Sequence, residues 1–213
     1  MAHPILLATR SSGKLDELGT LLTDLGVPFT DLRALGIEER PEEDKLESFG
    51  TFEENALAKA RYFNRLSGMP TIGDDSGLMV EALGGEPGVL TKRWSGRTDL
   101  SGRALDLVNN KKLVREMQRI ESEQPGASRC GKYVCVAAFV DGGFELARRG
   151  EIAGTVIDES RGLLGFGYDP HFHAPDLGGT FAESSLENTA RHSHRSRAIR
   201  ALISALREEG RIG

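Results

Sequence analysis

Leu15, Leu18, Leu22 and Leu25 recur at intervals of 3, 4 and 3 residues, the spacing that puts apolar side chains on one face of a helix. An apolar strand, Ile5 to Ala8, precedes this helix, Asp16 and Glu17 stand in its first turn, and Gly26 lies just past its end. A second helix opens on the capping box Thr51-Phe52-Glu53-Glu54, continues through Ala56, Ala60 and Phe63, and stops at Gly68 before Pro70. A short strand, Thr71 to Gly73, follows. Leu105, Val108, Leu113 and Met117 predict helix between Arg103 and Ile120, with a break near Asn109-Asn110. Next, Tyr133 to Val140, the turn Asp141-Gly142-Gly143 and Phe144 to Arg149 read as a hairpin, extended by a third strand at Ile152 to Ile157. The last helix runs from Ser193 to Glu208 and buries Ile199, Leu202, Ile203 and Leu206. Mixed strands and helices, one hairpin and no regular βαβ repeat predict an α/β fold, a mixed sheet covered by helices. The stretches Glu38 to Asp44 and Glu121 to Ser128 read as exposed loops. No repeat or linker divides the chain, which predicts a single domain over residues 1–213.

Composition narrows the class. Hydrophobic residues make up 38% of 213, and 26 glycines bring the total to about half, the ordinary globular share. Lys and Arg number 27 against 32 Asp and Glu, a net charge of −5, so no bulk attraction draws the chain to nucleic acid or an anionic membrane. The longest apolar run, Tyr133 to Val140, is far short of the ~18 residues that a membrane span needs. Met1-Ala2-His3-Pro4 passes straight into Ile5-Leu6-Leu7-Ala8 without the charged head of a secretion signal, which predicts a cytoplasmic protein. Cys130 and Cys135 lie an odd number of residues apart in a strand-like segment, face opposite sides and read as reduced, packed thiols.

Two helix starts carry the wrong charge. Lys14 follows Ser11-Ser12-Gly13 at the start of the first helix, and His194-Arg195 follow Ser193 at the start of the last. Each cation repels the positive end of its helix, a conflict that an anion bound there would remove. The familiar phosphate loops do not match. Gly13-Lys14 lacks the following Ser/Thr and the earlier glycine of a Walker loop, and Gly165-Phe166-Gly167 runs into Tyr168-Asp169-Pro170 instead of opening a dinucleotide-binding helix. Asp74-Asp75, between the short strand and Ser76-Gly77, and Glu47 are the acidic candidates. Magnesium takes one or two carboxylates together with substrate phosphate oxygens, which suits such a pair beside anion-binding helix ends. His171-x-His173 and His192-x-His194 could each place two imidazoles on one side of a strand, but no Cys or carboxylate stands at zinc-ligand spacing around them. Trp94 reads as a partly buried anchor.

Thr9-Arg10-Ser11-Ser12-Gly13-Lys14, Thr51-Phe52-Glu53-Glu54-Asn55-Ala56 and Gly73-Asp74-Asp75-Ser76-Gly77-Leu78 together resemble the inosine triphosphate pyrophosphatase family. The resemblance continues through Ala82 to Val89, Gly165 to Pro170, Thr180 to Glu183 and Ser193-His194-Arg195, nearly the whole chain. It implies an elongated mixed sheet flanked by helices, two lobes with the active site in the cleft between them, and a homodimer. It also implies magnesium-dependent hydrolysis of dITP, ITP or XTP to the monophosphate and pyrophosphate. Carried over by position, Thr9, Arg10, Ser11, Ser12, Gly13 and Lys14 hold the triphosphate, and Lys59 reaches the phosphates. Glu47 and Asp75 hold the metal, and Asp75 also accepts the proton of the attacking water. Ser76, Phe166, Gly167, Tyr168, Asp169, His194 and Arg195 complete the substrate site, with Phe166 stacking on the base. A 6-oxopurine presents N1–H to a carboxylate such as Asp169 and O6 to a cation such as Arg195, whereas adenine reverses both groups.

Three positions depart from the family pattern: Ser11 stands where Asn is usual, Leu46-Glu47-Ser48 replaces Glu-Thr-Gly around the metal-binding acid, and Thr189 occupies a lysine position. The alternatives are a pyrophosphatase for another modified base and a nucleotide-binding protein with weakened catalysis.

Overall fold

A computed structural model describes residues 4–213, so Met1 to His3, on which the reading of the chain start rests, lie outside the described residues. In chain order its elements are β1 (Ile5–Leu7), α1 (Ser12–Asp24), β2 (Phe29–Asp31), α2 (Phe52–Ser67), β3 (Thr71–Val80), α3 (Gly102–Glu123), β4 (Cys130–Asp141), β5 (Phe144–Val156), β6 (Phe172–Ala174), β7 (Gly179–Thr180), α4 (Leu186–His192) and α5 (His194–Glu208). The strands join in the order β2-β1-β3-β4-β5-β6-β7. Pairing is parallel on both sides of β1 and antiparallel from β5 to β7. This is the mixed sheet with flanking helices that the pattern predicts. Among the described residues no helix is long and apolar enough to cross a membrane.

The chain divides into two compact units, the first holding the residues up to Ser76 with Cys135–Gly150 and Ser193–Gly213. Its β1 is buried on both faces, as a strand between parallel neighbours must be. Ile5 and Leu7 pack with Leu18, Leu21 and Leu22 of α1 and Ile199, Leu202 and Leu206 of α5. Leu6 and Ala8 cluster instead with Leu32 and with Phe63 of α2. The second unit holds Gly77–Val134 and Glu151–His192. Its core gathers Leu78, Val80, Leu113, Met117, Ile152 and Val156 around an aromatic group in which Tyr133 meets Phe172 and Phe181 edge-on, at 4.8 and 5.0 Å between ring centres.

Several boundaries differ from the sequence pattern, each for a local reason. α1 starts on Ser12, because the Ser11 hydroxyl caps it by accepting from the Lys14 amide; its first turn therefore holds Lys14 and no acidic residue. β3 has ten residues instead of three and carries Asp74 and Asp75 within it. α3 passes Asn109-Asn110 unbroken, since both side chains bond outward, Asn109 to the Ser95 amide and the Lys92 carbonyl and Asn110 to the Gly167 carbonyl, rather than competing for the helix backbone. It also extends to Glu123, into the stretch read as loop, and Pro41–Lys45 forms a 3-10 turn in the other such stretch. The second and third predicted strands merge into β5. Gly150 joins them, where a Cβ would collide with the α5 backbone at His194 and Ala198, so this glycine serves close packing rather than a turn. Both cysteines are free; Cys135 is buried, but Cys130 is exposed rather than packed.

Candidate active site

Successive side chains of a strand point to opposite faces, and β3 uses this to give its two aspartates different surroundings. Gly73 brings the strand against α2: a Cβ there would lie 2.7 Å from the Ala56 carbonyl oxygen and 2.8 Å from the Ala60 nitrogen. Two residues on, Asp75 faces the same helix and accepts from Asn55 Nδ2 at 2.8 Å and from the Ser76 amide at 3.0 Å. Lys59, one helical turn beyond Asn55, donates to Glu47 and, at 2.7 Å, to the carbonyl of Asp74. The capped start of α2, where Thr51 Oγ1 accepts from the Glu54 amide at 3.1 Å, fixes the helix end that carries both residues.

Asp74 faces α1 and α5. Its Oδ2 accepts from Lys14 Nζ at 2.8 Å and lies 3.4 Å from Arg195 Nε. The same guanidinium donates to Glu17 and, at 3.0 Å, to Ser76 Oγ, while Glu17 also accepts from the Ser193 hydroxyl. Asp74, Arg195 and Glu17 are only 1%, 2% and 3% exposed. Bound anions are therefore not needed to balance the cations at the starts of α1 and α5: the chain's own Asp74 and Glu17 do so. His194 adds no charge at neutral pH, because burial, with the neighbouring Arg195 and Lys14 charges, holds its proton affinity well below the usual histidine value.

The two faces shift their carboxylates in opposite senses. For Asp75 burial dominates; aided by the negative charge of Glu47, it outweighs Lys14, Lys59 and the Asn55 hydrogen bond and raises the pKa to about 6. Burial also pushes Asp74 upward, but Lys14, Arg195 and Lys59 outweigh it and hold that carboxyl below the usual carboxylate range. Asp74 is thus a fixed anion, and Asp75 a buried carboxylate able to take a proton near neutrality.

Arg10 turns away from this group. Its guanidinium binds Glu43 at 2.8 and 3.0 Å and the carbonyls of Ile37 and Glu38 at 2.7 and 3.0 Å, tying down the segment that leads to Glu47. Thr9 Oγ1 accepts from the Ser11 amide at 3.2 Å, and Ser12 and Gly13 form the first turn of α1 ahead of Lys14.

In the second unit, Asp169 Oδ1 accepts from the Tyr133 hydroxyl at 3.0 Å and Oδ2 from the Phe166 amide at 2.8 Å. Gly165 has a φ of 72°, and a Cβ on it would run into this carboxylate. Phe166 is 38% exposed. Tyr168 points the other way, into the core, where its hydroxyl donates to the Thr91 carbonyl at 2.8 Å. Trp94 is buried, with Nε1 donating to Glu86 at 3.1 Å and Lys112 over its ring. Sequence reasoning missed Glu17 and the residues of α3 that hold Gly167, Asp106 and Asn110. The available signal for Glu17 was a carboxylate four residues before Leu21, on the apolar stripe of α1.

The Ham1 family pattern matches residues 5–205. The dITP/XTP pyrophosphatase of Thermus thermophilus is 41% identical over 204 residues, 96% of this chain and 92% of that protein. The chain belongs to the Ham1 family. Another relative, the dITP/XTP pyrophosphatase of Ralstonia nicotianae, is 42% identical over 206 residues, covering 95% of this chain and 96% of its own. Among solved Ham1 structures, that of a HAM1 protein from Coxiella burnetii superimposes with a TM-score of 0.78 at 31% identity, covering 96% of this chain and 98% of that one. A nucleoside-triphosphatase, dITP/XTP pyrophosphatase from Mycobacterium abscessus gives a TM-score of 0.66 at 37% identity, over 94% and 99%. These findings agree with the family resemblance carried by the motifs.

Proposed function

We propose that this Ham1 chain hydrolyses dITP, ITP and XTP to the nucleoside monophosphate and pyrophosphate, with magnesium as cofactor. The observation that carries the reading is Asp75, a buried carboxylate with a raised pKa, set among Glu47, Lys59 and Lys14. Proton transfer from an attacking water needs such an acceptor, and the departing pyrophosphate needs fixed positive charge.

The residues fit magnesium. Glu47 and Asp75 offer hard oxygen donors whose mutual repulsion a divalent cation would relieve, and the buried Asp74 Oδ1 has no hydrogen-bond partner among the described residues. No cluster of three or more His, Cys, Asp or Glu among the described residues is placed to cage a metal, and magnesium, which keeps water and substrate oxygens, does not require one. Glu47 and Asp75 would hold the ion. When bound, it would neutralise phosphate charge and make the attacking water easier to deprotonate.

Lys14 and Lys59 meet the phosphates together with the start of α1, Thr9 and Ser11 to Gly13. Asp75 takes the proton from water attacking the α-phosphorus. Arg195 and Glu17 hold Asp74 and Ser76 in place, and buried Asp74 in turn holds Lys14. Arg10 supports the Glu47 segment instead of touching phosphate. Phe166 stacks on the base, and Asp169, already oriented by Tyr133 and the Phe166 amide, accepts from the purine N1–H. Family resemblance adds a homodimer, and the sequence reading a cytoplasmic location.

Pyrophosphate release measured with magnesium on dITP, ITP, XTP, dATP and dGTP tests this reading. Preference for dITP and XTP supports it. Preference for a different base favours the other pyrophosphatase, and binding without release favours the catalytically weakened protein.

A further inference from the structure

Gly167 lies between exposed Phe166 and buried Tyr168, and α3 grips it from both sides. Its amide donates to Asp106 Oδ2 at 3.0 Å, and its carbonyl accepts from Asn110 Nδ2 at 3.0 Å. Asp106 and Asn110 are four residues apart, hence one above the other on a single helix face. Together they satisfy both main-chain groups of one glycine, as a neighbouring strand would. Gly165 and Gly167 both have positive φ, 72° and 62°, so the peptide on either side of Phe166 rests in a conformation that glycine adopts and leaves with little cost. Something outside the loop must fix its direction. On the far side of Phe166, the Asp169 carboxylate takes the Phe166 amide; on the near side, the grip comes from α3. The helix is itself anchored, with Leu105, Leu113 and Met117 buried on its inner face.

We propose that Asp106 and Asn110 are specificity-positioning residues: by holding Gly167 they set the orientation of Phe166 and Asp169 toward a 6-oxopurine base. This rests on the pyrophosphatase reading above and extends it to residues that touch neither phosphate nor base. A loosened loop misplaces a stacking ring and a hydrogen-bond acceptor, so it affects the base that uses the acceptor most. A substrate such as dATP, which cannot donate from N1, has little to lose. Main-chain support therefore enters selectivity through KM for dITP, while the carboxylates and lysines that serve the phosphates are untouched.

The test is steady-state pyrophosphate release from dITP and dATP by the wild type, Asp106→Ala, Asp106→Asn and Asn110→Ala, with melting temperature followed in parallel. Asp106→Ala and Asn110→Ala should each lower the dITP-to-dATP ratio of kcat/KM roughly tenfold or more, as displacement of a positioned group does, mainly through a higher KM for dITP. Asp106→Asn, whose amide oxygen still accepts from the Gly167 amide, should restore the ratio to within about twofold of wild type. Equal losses on both nucleotides, or an unchanged ratio with only a lower melting temperature, would overturn the proposal; Asn110→Ala decides if Asp106→Ala does not fold. A wild type inactive on dITP overturns the pyrophosphatase reading and this one with it, whereas an active wild type whose variants keep the ratio overturns this one alone.

Discussion

The two faces of β3 at Asp74 and Asp75 differ by one residue in sequence and by the sign of their electrostatic shift. On the Asp74 side, Lys14 and Arg195 supply two cations close to a nearly inaccessible carboxylate, and Glu17 balances the excess. On the Asp75 side, Lys59 is shared with Glu47, and the closest polar partner of the carboxylate is a neutral amide. Burial costs both carboxylates their hydration, but only the first is repaid in full by opposite charge. The first face is thereby built to stay ionised and rigid; the second holds a carboxylate whose charge is costly and therefore useful to a proton or a metal.

Changes at the two aspartates should separate these roles. Asp75→Asn should lower dITP turnover by ~10² to 10⁴, the usual cost of losing a positioned general base, while the protein remains folded; near-normal turnover in a folded variant would remove Asp75 from both assigned roles. On the opposite face, Arg195→Ala leaves Glu17 and Asp74 buried with one cation fewer, and urea unfolding should show a loss of about 3–5 kcal/mol, the range for breaking a buried pair from one side. A fall in base preference without loss of stability would instead return Arg195 to reading the purine O6.

The third outcome has the opposite sign. Asp75 binds its proton more tightly folded than unfolded, so its contribution to stability declines as pH rises from about 4, the unfolded value, to about 6, the folded one. Two pH units correspond to about 3 kcal/mol, and an asparagine would forfeit about 1–2 of these because either Asn55 or the Ser76 amide loses its acceptor. With chelator present, Asp75→Asn should therefore be more stable than wild type by about 1–2 kcal/mol at pH 7, an advantage that disappears near pH 4. Asp74 acts in the adjoining window: its stabilisation is present above about pH 4 and is lost as pH falls below it. The smallest effect belongs to Asn55→Ala, which removes a hydrogen bond favouring the ionised Asp75 and should move the acidic limb of the kcat/KM profile upward by less than about one pH unit.

The elements were largely legible because their signals are local: leucine spacing for α1, the Thr51 cap and Gly68 stop for α2, and the Ser193 start for α5. What escaped depends on tertiary partners. Asn109-Asn110 look like a helix break until the loops they bind are in place, and Gly150 looks like a strand end until α5 packs against it. At the candidate site, Asp75, Glu47, Lys14 and Lys59, named from motifs, fall into one charge-coupled group, and the α2 register explains why Asn55 and Lys59 both reach β3. The destination of Arg195 could not, because Glu17 lies 178 positions away in the chain. Likewise, Arg10 stands inside the Thr9 to Lys14 motif yet pairs with Glu43, a choice set by the fold of residues 37–43.

In the proposed reaction water adds to the α-phosphorus with Asp75 as proton acceptor. Hydrolysis of dITP in ¹⁸O-water, with the products separated and weighed by mass spectrometry, tests it most directly. The products should be dIMP carrying the label and unlabelled pyrophosphate. Label in pyrophosphate, or formation of dIDP and inorganic phosphate, would contradict it.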